Sequence, residues 1–65
     1  MNKRYTVKRC YGGATLVMDQ AQFDTWVKEM AATNYNIYRI VGDPASGHYW
    51  LDFENMYEIT EEVID

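Results

Sequence analysis

Residues 19–31 read DQAQFDTWVKEMA, and their spacing predicts an amphipathic helix. Phe23, Trp26, Val27, Met30 and Ala31 recur at i, i+3, i+4, i+7 and i+8, which sets all five on one stripe. Asp19 is placed to cap the first turn, and Gln22 three residues later completes a capping-box spacing. Gln20, Asp24, Thr25, Lys28 and Glu29 fall on the opposite, solvated face, where Asp24 and Lys28 stand at the i, i+4 spacing worth about 0.3 kcal/mol. Thr33 and Asn34 end the run, Asn34 being suited to a left-handed cap.

Upstream of the helix, Arg4 to Cys10 alternates, with Tyr5 and Val7 on one side and Thr6 and Lys8 on the other. Tyr11-Gly12-Gly13-Ala14 reads as a tight reversal, since glycine accepts the positive φ that hairpin turns require. Ala14 to Met18 is then the returning strand, with Leu16 and Met18 on one face. Downstream, Tyr35 to Val41 alternates as a third strand, the turn signals from Gly42 to Gly47 reverse the chain, and His48 to Phe53 forms a fourth. Tyr49, Leu51 and Phe53 face one way there, and Trp50 lies on the polar side with His48 and Asp52. Tyr57 to Thr60 reads as one more short strand or the end of a bent one, and Glu61 to Asp65 as a tail or short helical turn. The order β-β-α-β-β, with a fifth short strand, predicts an α+β domain in which one antiparallel sheet lays one face on the helix.

Sixty-five residues form one domain, because a core of this size cannot be divided into two stable halves. With 48% hydrophobic and 25% charged residues the composition is that of a chain that folds. A core this small rarely supplies more than about 3–5 kcal/mol, so self-association or a partner is a common supplement. Cys10 is the one cysteine, so no intrachain disulfide can form, and a reducing, cytoplasmic setting is expected. Neither an apolar signal-peptide centre nor a stretch of about 20 apolar residues occurs, which points away from export and membranes.

The net charge of −4 repels nucleic acid and anionic membranes and favours a basic partner. Its distribution is polarised. Residues 1–10 carry Lys3, Arg4, Lys8 and Arg9 without an acid, whereas residues 51–65 carry Asp52, Glu54, Glu58, Glu61, Glu62 and Asp65 without a base. Either the two segments lie side by side and their charges pair across strands, or the acids form a strip aimed at a basic groove elsewhere.

Catalytic constellations are poorly supported. Ser46 and His48 are two residues apart in one turn, a spacing that seldom aims a hydroxyl at an imidazole. Cys10, His48, Asp43 and Asp52 show no metal-ligand spacing, and Gly12-Gly13 is followed by no Lys-Ser or Lys-Thr to cradle a phosphate. Asp52 and Glu54 would share a strand face, but so small a domain offers little concavity in which to shift their acidity. An enzyme is therefore the least favoured class, and no cofactor is expected.

Ten aromatic side chains remain to be placed. Core packing absorbs Phe23, Trp26, Tyr49 and Phe53, and leaves Trp50, one face of the Tyr35 to Val41 strand and Tyr57 over; Trp50 and Tyr57 are the candidate anchors, of the kind that Trp and Tyr supply at interfaces. Asp52, Glu54, Glu58, Glu61 and Glu62 would steer and pair with Arg or Lys of a target, standing where phosphates otherwise lie. The expected function is a small non-enzymatic inhibitor or modulator that occupies a basic, nucleic-acid-handling surface of another protein. In size, acidity and lack of catalytic groups the chain resembles the broad class of small phage-encoded inhibitors of host defence or transcription, a resemblance of composition that carries over no residues. Two alternatives are a homodimer formed through the free sheet face or an edge strand, and weak single-stranded nucleic-acid binding by Tyr5, Tyr38 or Trp50 beside Lys8 and Arg39, which the net charge opposes.

Overall fold

In the computed structural model, which describes residues 2–64, the amphipathic helix lies on one face of a five-stranded sheet. The chain runs β1 (Lys3–Arg9), β2 (Thr15–Asp19), α1 (Gln20–Thr33), β3 (Arg39–Asp43), β4 (His48–Asp52) and β5 (Met56–Val63). The strands lie in the order β2-β1-β5-β4-β3, every neighbouring pair antiparallel. The α+β architecture expected from the sequence is the one observed.

The helix starts as its residues dictate. Asp19 accepts a hydrogen bond from the Gln22 amide at 2.8 Å, and the Gln22 side chain accepts one from the Asp19 amide at 3.0 Å. These two bonds satisfy donors that a helix N-terminus otherwise leaves unmet. Phe23 and Ala31 of the stripe are buried, and Trp26, Val27 and Met30 pack against the core at its margin. From the sheet come Tyr5, Val7, Tyr49, Leu51 and Ile59, and Phe53 joins them from just past β4, which ends at Asp52 and not at Phe53 as the sequence suggested. The tightest contact is between Tyr5 and Phe23, whose rings stack in parallel with centroids 4.1 Å apart. Asp24 and Lys28 form no ion pair with each other among the described residues, so that face of the helix depends on solvation.

Several boundaries differ from the sequence reading. The fifth strand is neither short nor peripheral: β5 spans eight residues, pairs with both β1 and β4, and contains Glu61 and Glu62, where a tail or helical turn was expected. Asp65 lies outside the described residues. Acidic residues are poor strand formers in isolation, but Glu61 and Glu62 pair with Lys3 and Arg4 of β1, and these cross-strand charges offset their propensity. The third strand is displaced to Arg39–Asp43 because the helix does not stop cleanly. Asn34 caps it with φ −107°, outside the left-handed region, and the reversal passes to Tyr35 and Asn36 at φ 58° and 59°. Residues 35–38 are thereby removed from the ladder. Gly42 and Asp43 belong to β3, and Pro44–Ser46 make one turn of 3₁₀ helix that Gly47 closes at φ 83°. Cys10–Ala14 form a five-residue connection and not a two-residue turn, closed by the Arg9 amide on the Ala14 carbonyl at 2.9 Å.

Ile59 is fully buried and lies between Val7 of β1 and Tyr49 of β4, whereas Thr60 points to the open face. In urea unfolding, Ile59→Ala is therefore expected to cost about 2–5 kcal/mol, and Thr60→Ala under about 1 kcal/mol. Equal effects would contradict a central β5.

Candidate protein-binding surface

Strand alternation distributes the seven residues singled out above over both faces and one turn. Trp50, Asp52, Glu58 and Glu62 stand on the open face, while Tyr57 and Glu61 point to the helix side, and exposed Glu54 lies in the β4–β5 turn. They do not form one contiguous strip. Tyr57 is a margin of the core, set edge-on to Trp26 with centroids 5.1 Å apart.

Cross-strand ion pairs hold most of the acids. Glu62 pairs with Arg4, Glu61 with Lys3 at 3.0 Å, and Asp52 with Arg39 at 3.2 Å. Glu58 faces Lys8 in register but its Oε2 lies 2.8 Å from His48 Nε2. Glu54 has no ion-pair partner among the described residues. Trp50 is half-buried without help from the helix: its ring lies over Gly42, where a Cβ would come within 3.5 Å of it, and its centroid is 4.7 Å from that of His48. An aromatic ring laid over an edge glycine supplies the packing that the glycine lacks.

Glu61 stands apart from the other acids because it reaches the core. It accepts from the Tyr5 hydroxyl at 2.8 Å as well as from Lys3. These two donors hold its carboxyl below the usual range, Tyr5 contributing most. In turn, burial, reinforced by the Glu61 carboxylate, pushes the Tyr5 hydroxyl well above its ordinary value, and burial raises Tyr49 likewise.

The least protected apolar surface is elsewhere. Tyr35, Ile37, Tyr38 and Ile40, released from the ladder or left on the edge strand, are all exposed, Ile37 at 74% and Tyr35 at 87%. Tyr38 touches Phe53 at 4.9 Å between centroids, and with Ile40 it borders a groove of about 330 Å³ that runs between α1 and β3–β4 over Phe23, Val27 and Leu51. Asp24 and Lys28 rim that groove, and neither has an ion-pair partner among the described residues. Reading 35–41 as an alternating strand left one of its faces uncovered but hid that residues of both faces are exposed; the signal that could have shown this is Asn34-Tyr35-Asn36, a helix exit with no glycine. A second groove, of about 480 Å³, lies between α1 and β2, over Leu16, Met18 and Trp26.

Ser46 donates to the Asp43 carbonyl at 2.7 Å and accepts from the His48 amide at 3.2 Å, so its hydroxyl is committed to the turn backbone. Among the described residues no three His, Cys, Asp or Glu side chains gather as metal ligands, and no helix is long and apolar enough to cross a membrane. What the arrangement offers chemically is apolar and aromatic contact bordered by charge.

The Tyr5–Glu61–Lys3 cluster also predicts the pH dependence of stability. Glu61 is depressed in the fold, so its contribution is present above the unfolded carboxyl value of about 4.3 and is lost as pH falls through the lower folded value. Tyr5 is raised, so its contribution is present below about pH 10 and declines as pH rises above it. Tyr5→Phe should cost about 1–2 kcal/mol at neutral pH and make both limbs shallower; chemical denaturation across pH measures this.

No protein-family model matches the chain, and no curated protein or solved structure is significantly similar to it. The functional reading therefore rests on the geometry of its own surface.

Proposed function

We propose that the protein acts without catalysis, by binding another protein at the end of the molecule where Tyr35, Ile37, Tyr38 and Ile40 meet the α1–β3 groove. The observation that carries this reading is the exposure of these four side chains together. A monomer that serves no partner gains nothing from leaving such a patch in water, and patches of this kind mark interaction sites. Tyrosines supply large rigid contact area with a polar tip, as interface anchors do.

The rim indicates the chemistry of the target. Glu54 follows Phe53, on which Tyr38 rests, and Asp52 of the same strand end shares Arg39. Asp24 and Lys28 offset one another at the groove, so Glu54 and the net charge of −4 are what favour a target whose apolar projection is ringed by Arg or Lys. Covering such a basic surface is how a small acidic protein of this kind inhibits or modulates a nucleic-acid-handling protein. Trp50, on the open face and engaged with Gly42 and His48, serves that role less directly.

A photo-reactive phenylalanine analogue placed in cells at Ile37, or separately at Trp50, tests the assignment. A discrete adduct from position 37, heavier than two copies of the chain, is expected, together with none from position 50. Against the captured protein, Tyr38→Ala should weaken affinity about tenfold or more, and Glu54→Lys should slow association and lessen its salt dependence. Adducts from position 50 alone, or an affinity indifferent to Tyr38→Ala, would overturn the reading.

A further inference from the structure

The two edges of the sheet are unequally protected. On β3, Arg39 and Asp43 are charged, Gly42 bends the strand at φ 94° and Pro44 follows at once, all devices that discourage pairing with a further strand. On β2 the one charge is the terminal Asp19, and Thr15-Leu16-Val17-Met18 has neither charge nor proline nor glycine; Leu16 is 49% and Val17 63% exposed, and the α1–β2 groove lies alongside. We infer that β2 pairs antiparallel with β2 of a second copy about a two-fold axis through Val17, joining the two sheets into one.

Hydrogen bonding selects that register. Since the Arg9 amide donates to Ala14, ladder alternation turns the main-chain groups of Leu16 and Met18 toward β1 and those of Thr15 and Val17 outward. Asp19 has already committed its amide to Gln22. With Val17 opposite Val17, the two valines exchange two bonds, and each Thr15 amide faces an Asp19 carbonyl, which as the helix N-cap already accepts the first helical amide and would be shared.

Side chains agree with it. On the helix face, the row Ile59–Val7–Leu16 continues into the second copy's Met18 and Tyr5, so apolar groups meet apolar groups. On the open face, the row Glu62–Arg4–Asp19 continues into the second copy's Thr15, Lys8 and Glu58, charges of alternating sign with no like pair adjacent. Lys8, which has no ion-pair partner among the described residues, then stands two strands from the second copy's Asp19, about 10 Å between Cα positions and within reach of a lysine. This surface lies on the edge opposite β3, so the inference stands or falls separately from the function proposed above.

Sedimentation velocity over the micromolar range, with amide hydrogen exchange, tests it. The unmodified chain should sediment as a dimer with slowed exchange at Thr15 and Val17. Val17→Lys should raise the dissociation constant about tenfold or more and free those amides, and Lys8→Glu should weaken the dimer in low salt. Ile40→Lys on the opposite edge should leave the dimer intact, and unchanged near-ultraviolet circular dichroism confirms that each variant is folded. A monomer throughout that range, or a dimer that survives Val17→Lys and is lost with Ile40→Lys, overturns the inference.

Discussion

One helix has to cover five strands. The edge strands of such a sheet lie about 19 Å apart, four spacings of about 4.8 Å, whereas a helix with its side chains is about 10–12 Å wide. The core accordingly forms beneath α1, around Tyr5, Val7, Phe23 and Ile59, and the shortfall appears as two apolar grooves, one on each flank of the helix. The exposure of Leu16 on one edge and of Tyr38 and Ile40 on the other follows from that mismatch in width, whereas Val17 stands on the open face and Tyr35 and Ile37 lie outside the ladder.

The open face meets a different constraint. With no second α-helix among the described residues to cover it, it is stabilised by the ion pairs Arg4 with Glu62 and Arg39 with Asp52, by the hydrogen bond between His48 and Glu58, and by Trp50 lying over Gly42. Such exposed pairs contribute little energy singly, but they sharpen register. A one-residue slip of β5 against β1 would send Ile59 into water and turn Glu58 toward the core, so the acids specify the alignment that buries Ile59. Glu61 is the exception that points inward, and the Tyr5 hydroxyl and Lys3 amine meet its charge there.

Much of this was legible in the chain. The capping box at Asp19 and Gln22, the stripe from Phe23 to Ala31, the alternation of Tyr5 with Val7 and of Tyr49 with Leu51, and the lone Trp50 on a polar face are all written in local spacing. Cross-strand pairing of the basic beginning with the acidic end was one of two readings of the charge pattern, and it holds for Lys3 and Glu61 and for Arg4 and Glu62. The length of β5 was not legible, because Glu58, Glu61 and Glu62 look like a solvated tail until β1 stands beside them. Of the Tyr35 to Val41 stretch one uncovered face was legible, but not that Tyr35, Ile37 and Tyr38 are all exposed, because alternation is scored the same whether or not a partner strand exists.

The sequence by itself determined the helix with its two faces and the hydrophobic side of β1, β2 and β4, since periodicity is a property of neighbouring residues. Only the tertiary structure decided that β5 is central, which acids are neutralised within the chain, and which apolar residues the single helix leaves uncovered. Those outcomes depend on contacts between residues as far apart as Arg4 and Glu62, and on the width of one helix against that of the sheet it must cover.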